Sequence, residues 1–414
     1  MRRLNRWLSS HQKDLCRFLQ DLVRIPTTNP PGENYAEIVS VLEEKLKSLN
    51  MMTQVVRVPD EMARRVLPNA DGYPRYNLIG RWDVGARKTL HFNAHYDVVP
   101  VSGRWRFGPF EPKIDNGWLY GRGSNDMKGC IAACVFALQA AQEAGIPPKV
   151  NVEVSFTADE ETGGELGAGY LVKQGLITPD YAIVCEGGSE KNIGYGHNGV
   201  IWFNVTVHGK AAHASRPERG VNAFEHTAAL VMELQRLKKA LRQRRRLFET
   251  EAGTTLRPTV NIGGVFGVGA GAKVNTVPAQ ATFTIDRRVT PREKLREAER
   301  EIQDAIAVAK KKVKGLRVDV ETFLHIDPCI VPPASELPQA FAQAVKSVRG
   351  GQPRLSVTTG FTDMHFFAVD GHIPTIGYGV GGKNAHGVDE CVEVKNLVET
   401  AQVYAQFIND FDPR

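Results

Sequence analysis

Hydrophobic positions along the chain fall into two patterns. Over residues 36–49, Ile38, Val39, Val41, Leu42, Leu46 and Leu49 recur at helical spacing, which predicts a helix with one buried face. Residues 90–99, 150–157, 181–185 and 373–378 are instead short, β-rich, nearly continuous apolar runs, the mark of strands buried on both faces. Helical stretches such as 130–144 lie between them. This alternation predicts an α/β domain built on a mostly parallel sheet.

The pattern changes in the middle of the chain. From Val200 it predicts a strand over 201–207, an amphipathic helix over 223–247, strands over 259–263 and 281–287, a helix over 292–313 and a strand over 316–323. That order, β-α-β-β-α-β, is the ferredoxin-like α+β unit. The α/β pattern then resumes with a helix over 336–348 and the strand at Ile373. The expected layout is a discontinuous α/β domain, residues 1–197 and 328–414, with an inserted domain over 198–327.

Composition adds limits. With 414 residues, 42% hydrophobic and 24% charged, the chain can bury a large core and lies far from the signature of disorder. The balance of 52 Lys+Arg against 46 Asp+Glu, a net +6, gives no reason to expect a nucleic-acid partner. Basic runs at 238–246 and 310–314 carry no stacking aromatics, and Leu237, Leu241 and Leu247 interleave with the first at helical spacing. They read as solvated helix faces. Six scattered cysteines form no C-x-x-C pair, so a reduced, cytoplasmic protein is expected. No signal-type apolar segment follows the start, and no window is long enough for a membrane span.

In open α/β sheets, ligands sit beyond the carboxyl ends of the strands. Here one run ends in His95-Tyr96-Asp97, the next in Asp159-Glu160-Glu161-Thr162-Gly163-Gly164, and the third in Glu186-Gly187-Gly188; the last is followed by Gly381-Gly382-Lys383-Asn384-Ala385-His386. Asp126 stands just before a predicted helix. Taken singly, each is an ordinary loop residue. Together, two imidazoles and several carboxylates with no cysteine suit zinc, cobalt or manganese, and two such metals bridged by a carboxylate make a hydrolytic centre.

These segments carry a family resemblance. His95-Tyr96-Asp97-Val98-Val99-Pro100, Gly121-Arg122-Gly123-Ser124-Asn125-Asp126-Met127-Lys128-Gly129 and Asp159 to Gly164 resemble the zinc metallohydrolase family of acetylornithine deacetylase, succinyl-diaminopimelate desuccinylase, aminoacylase and carboxypeptidase G. The similarity runs from Ile25-Pro26-Thr27-Thr28-Asn29-Pro30-Pro31-Gly32 to His386. It implies an aminopeptidase/phosphorylase-like catalytic domain and an inserted lid or dimerisation domain.

The resemblance also implies roles. His95 and Glu186 would bind one zinc, Glu161 and His386 the other, and Asp126 would bridge them, with a cis peptide after it. Asp97 would orient His95 through its far nitrogen. Glu160 would be the general base; on an extended segment neighbouring side chains point apart, so only one of Glu160 and Glu161 would face a given metal. His213, in Gly209 to Pro217, would supply an oxyanion donor, often from the partner subunit of a homodimer. Asn275 and Arg288 would grip a substrate carboxylate; the Arg287-Arg288 doublet leaves the register open, and alternation with the D-x-R spacing favours Arg288.

Two features depart from the family pattern. Gly360-Phe361-Thr362-Asp363-Met364-His365 has Phe361 for a glycine and His365 for an arginine, which implies an altered acyl-side pocket. Residues 59–74 read as an extra loop near the entrance or as a merely exposed excursion. The activity expected is removal of an acyl group from a carboxylate-bearing N-acyl amino acid, since glutamate at the position of Glu186 is typical of deacylases and carboxypeptidase G. Peptide cleavage by a carboxypeptidase or dipeptidase is the alternative, and a non-enzymatic metal-binding protein of the same fold is the alternative of a different class.

Overall fold

The computed structural model describes residues 2–67, 71–145, 147–245 and 247–413. The chain divides into two compact units, residues 1–196, 330–358 and 362–414 in one, and 197–329 with 359–361 in the other.

In the first unit a mixed sheet runs in the order Met52–Arg57, Tyr76–Trp82, Asn151–Thr157, Thr89–His95, Tyr181–Ser189, Thr375–Gly379, Asn192–His197. Only its centre is parallel, the strands Asn151–Thr157, Thr89–His95, Tyr181–Ser189 and Thr375–Gly379. The flanking pairs are antiparallel. The expected mostly parallel sheet is thus a parallel core with antiparallel edges.

Helix Lys128–Glu143 is buried on nearly every side, as is Val394–Asp410, and their side chains join the residues of the central strands in one core. Helix Tyr35–Ser48 buries Ile38, Val39, Leu42 and Leu46, the face its spacing predicts. Residues 60–66 are not loop but a short helix, whose Ala63 packs with Val58 and Leu166. Within the expected 59–74 excursion, residues 68–70 lie outside the described residues.

The central strands are less apolar than their sequence suggests. On one face they carry His91, Asn93 and His95 opposite Glu153, Ser155 and Thr157. Apart from His95, these buried polar groups bond to one another: His91 Nδ1 meets Glu153 Oε1 at 2.9 Å, His91 Nε2 meets Ser155 Oγ at 2.8 Å, and Asn93 Nδ2 donates to Ser155 Oγ and Thr157 Oγ1. Satisfied partners make such burial tolerable.

The second unit is a four-stranded antiparallel sheet in the order Thr259–Val268, Gln280–Val289, Gly199–His208, Arg317–Ile326. Helices Ala223–Arg242 and Leu295–Lys312 cover one face, so Ile201, Phe203, Val205 and Val207 are buried while Trp202, Asn204, Thr206 and His208 point the other way. The chain order is the expected ferredoxin-like one. The first helix ends at Arg242, short of the predicted 247, and Arg246 of the basic run lies outside the described residues.

His197 is fully buried, and its Nδ1 donates to the Asn198 carbonyl at 2.9 Å. Burial pushes its pKa down to about 4, so the folded state holds it neutral while the unfolded chain, near 6.5, takes up a proton. Its contribution to stability is intact above the unfolded pKa and is lost as pH falls toward 4, by about 2 kcal/mol between pH 7 and pH 5. Denaturant unfolding at the two pH values should show a smaller difference for His197→Gln than for the parent chain. Equal differences would contradict the assignment.

Candidate metal centre

The parallel strands end on one rim, and the side chains singled out in the sequence meet there. His95 closes strand Thr89–His95, Glu186 stands in Tyr181–Ser189, Glu160 and Glu161 open a short turn after Asn151–Thr157, and Asp126 precedes helix Lys128–Glu143. His386 lies on the loop after Thr375–Gly379. Two groups form: His95, Asp126 and Glu186, and Asp126, Glu161 and His386, with the ligand atoms of each group within 4.8 Å of one another.

His95 Nε2 faces Asp126 Oδ1 at 3.4 Å and Glu186 Oε2 at 3.6 Å. His386 Nε2 faces Asp126 Oδ2 at 3.2 Å and Glu161 Oε2 at 3.1 Å. The two carboxylate oxygens of Asp126 therefore serve different groups. Three buried atoms here, His95 Nε2, Glu161 Oε1 and Glu186 Oε1, have no hydrogen-bond partner. Orphaned buried donors and acceptors are costly, and a cation among them removes the cost. A mixed imidazole and carboxylate set fits a divalent ion such as zinc, cobalt or manganese.

Electrostatics at the rim point the same way. Hydrogen bonds to Asp126 and Glu161 raise His386 to about 10. Burial, ahead of all other influences, pushes Glu161 up to about 7. Burial also pushes Glu160 well above the ordinary carboxylate range, with the charge of Glu186 adding to it. For Asp126 burial acts upward too, but hydrogen bonds from His386 and His95 outweigh it and hold the carboxyl below its usual range. So many carboxylates crowded together demand positive charge.

The segment after Asn151–Thr157 is not extended. Asp159 is left-handed at φ 63°, and Glu160–Thr162 form a 3-10 turn. The separation of Glu160 from Glu161 therefore comes from the turn and not from strand alternation. Glu161 faces His386, and Glu160 Oε2 lies 3.9 Å from His95 Nε2.

Asp97 also differs from expectation. His95 Nδ1 donates chiefly to the Asp97 backbone carbonyl at 3.0 Å, with the carboxylate Oδ1 at 3.4 Å. The Asp97 carboxylate instead accepts the amides of Glu160 and Glu161, both at 3.2 Å, and Asn29 Nδ2 at 2.9 Å. It fixes the turn that carries the two glutamates. The Asp126–Met127 peptide is cis.

Several residues of this site had no assigned role in the sequence. Arg75 Nε donates to Asp159 Oδ2 at 2.8 Å, with both side chains buried, and Tyr35 Oη and Asn29 Nδ2 donate to Asp159 Oδ1. Glu390 accepts amides of the loop before Asp126. Each acts on backbone or on a partner remote in sequence, so no local spacing marks it. Asp363 is buried, with Oδ2 unpartnered. His365 is buried, its Nδ1 donating to the Thr362 carbonyl at 2.8 Å. Cys130 and Cys134 are buried in the core, and all six cysteines are free.

Gly164 closes the acidic turn at φ 72°. A Cβ there would lie 2.3 Å from Asp363 Oδ1 and 2.7 Å from the Phe366 ring. Gly164→Ala should cost about 1–3 kcal/mol, readable as a lowered denaturation midpoint. An unchanged midpoint would contradict the crowding.

The remaining sequence candidates lie in the second unit. His213 is on a turn, its Nδ1 bonded to Ser215 Oγ at 2.7 Å, and it bridges Thr276. The Asn275 carbonyl accepts the Ala214 amide at 2.9 Å. Arg287 and Arg288 point to opposite faces. Arg287 is fully buried on the helix side, paired with Glu293 and Glu301, whereas Arg288 lies on the other face against Asp286 at 2.9 Å. Phe361 sets its ring against Trp202, with centroids 6.1 Å apart.

Comparison with known proteins matches residues 91–410 to the family model "Peptidase family M20/M25/M40". The chain belongs to this family. It is 28% identical over 418 residues to succinyl-diaminopimelate desuccinylase of Methylocella silvestris, covering 96% of this chain and 97% of that one. An uncharacterized metallohydrolase of Methanococcus maripaludis is 27% identical over 422 residues, covering 94% and 97%. Among solved structures, an M20 family metallo-carboxypeptidase from Sulfolobus solfataricus superposes with a TM-score of 0.77 at 21% identity, covering 95% of this chain and 98% of that one. The chain is thus a metallohydrolase of amide bonds with an α/β fold. Among the described residues, no helix is long and apolar enough to cross a membrane.

Proposed function

We propose that the chain is a dinuclear zinc amidohydrolase that removes the acyl group from an N-acyl amino acid. The observation that carries this reading is the pair of ligand groups sharing Asp126, with Glu160 beside them. His95 and Glu186 would hold one ion, Glu161 and His386 the other, and Asp126 both. Cobalt or manganese would suit the same donors.

When bound, two such ions supply Lewis acidity toward an amide carbonyl and make a nearby water acidic. Glu160 Oε2 takes a proton from the attacking water and later returns it to the leaving amine nitrogen. Asp97 holds Glu160 through its amide and His95 through its backbone carbonyl. His213 as oxyanion donor, and Asn275 and Arg288 as the grip on a substrate carboxylate, belong to the proposal on the resemblance of their segments. The partial burial of Arg288 on the open face, against the complete burial of Arg287, supports the choice between them.

Deacylation is favoured over peptide cleavage by Glu186 and by the desuccinylase relatives aligned along nearly the whole chain. The test is turnover of acetylornithine, succinyl-diaminopimelate, other N-acyl amino acids and dipeptides by the zinc- or cobalt-loaded protein. Activity on N-acyl amino acids is expected; activity on dipeptides alone would overturn the reading. A homodimer through the inserted domain is part of the proposal, supported by the edge strand Thr259–Val268, which exposes Val265, Phe266 and Val268. A cytoplasmic location accords with six free, buried thiols.

A further inference from the structure

Glu390 lies four residues beyond His386 and is fully buried. Its Oε1 accepts three backbone amides, those of Gly123 at 3.1 Å, Asn125 at 3.0 Å and Asp126 at 3.0 Å. Its Oε2 takes Nη1 of Arg122, and Nη2 of Arg122 reaches the backbone carbonyl of His386 at 3.2 Å. Arg122 is itself only 2% exposed.

A carboxylate out of water is costly unless it is well bonded. Here every donor comes from the loop that ends in Asp126, while the acceptor belongs to the loop that carries His386. One buried carboxylate and one buried guanidinium thus join two loops far apart in sequence, and those loops carry two members of the same ligand group. The other group draws His95 and Glu186 from adjacent strands whose spacing the parallel ladder already sets.

We propose that Glu390, with Arg122, is a positioning residue that sets the spacing of Asp126 and His386 and so the affinity of the ion held by Asp126, Glu161 and His386. The assignment rests on the two-ion reading above. Glutamine at 390 keeps an acceptor for the amides but turns an NH₂ toward Arg122, which breaks the tie to His386 while leaving side-chain volume nearly unchanged. Residues that hold metal ligands in place typically change metal affinity by about 10- to 100-fold when replaced.

The experiment is cobalt titration of the metal-free protein, followed by visible absorption, for the parent chain and Glu390→Gln, with near-ultraviolet circular dichroism reporting the fold. The expected result is that two ions still bind, one of them at least about tenfold more weakly than in the parent and the other, which shares Asp126, weakened much less. Unchanged affinity for both ions, or equal weakening of both, overturns the proposal. Should Glu390→Gln fail to fold, Arg122→Lys, which has one donor nitrogen in place of the two that serve Glu390 and the His386 carbonyl, must show the same selective loss; parent-like binding of both ions overturns it.

Binding of one ion by the parent would count against the two-ion reading instead. Positioning is then read from hydrogen exchange in Glu390→Ala. The amides of Gly123, Asn125 and Asp126 must exchange faster while those of strand Thr89–His95 do not, and unchanged exchange overturns the proposal whatever the ion count.

Discussion

Glu160→Ala should lower kcat by about 10²- to 10⁴-fold, the usual range for a lost general acid–base group, while the protein keeps its full complement of metal. The two halves of this expectation come from different atoms. Glu160 is buried at the rim, its amide fixed on Asp97 Oδ1 and its Oε2 3.9 Å from His95 Nε2, farther than Asp126 and Glu186 stand from the same nitrogen. Glu161, next in the chain, is the residue that meets His386. Glu160 belongs to neither ligand group, so on the proposed assignment its removal takes away the proton carrier and leaves both groups whole. Steady-state kinetics with metal analysis on the same preparation is the check. Loss of metal with loss of activity would mean that the roles of Glu160 and Glu161 are exchanged.

The second large effect is on stability. Arg75→Leu should destabilise the fold by about 3–5 kcal/mol, because it leaves the Asp159 carboxylate buried without its ionic partner. Arg75 also donates to the backbone carbonyls of Tyr73 and Pro31, so it pins the Asn29-to-Gly32 segment as well as the acidic turn. Gly32, at φ 104°, is required there, since a Cβ would lie 2.8 Å from the guanidinium carbon. Asp159→Asn in the Arg75→Leu background should recover part of the loss; asparagine tolerates the left-handed conformation and removes the stranded charge. Denaturant unfolding of the two single variants and the double variant measures the coupling. A loss below about 1 kcal/mol for Arg75→Leu would contradict the account of this pair.

Residues that act from a strand end or a helix start were legible because periodicity marks those ends. His95, Glu186 and the Asp159-Glu160-Glu161 run each follow an apolar stretch that is a central strand, and Asp126 precedes a helix whose apolar character is plain. The second unit was legible for the same reason, since strict alternation in Gln280–Val289 sends Arg287 and Arg288 to opposite faces. What escaped were the contacts that hold the site. Glu390 binds amides, which every residue carries, and Arg75 reaches an aspartate 84 positions away. The extended reading of Glu160 and Glu161 failed because a left-handed residue at Asp159 starts a turn, and aspartate gives only a weak hint of that conformation. Antiparallel edges escaped because short apolar runs do not reveal strand direction.

One rim of this chain is proposed to hold two hydrolytic metal ions. The most direct test is metal analysis of the protein reconstituted with zinc or cobalt, paired with assay on N-acyl amino acids. Two ions per chain are expected, together with hydrolysis that disappears on chelation and returns with added metal. Fewer than one bound equivalent, with no hydrolysis of any amide, would contradict it.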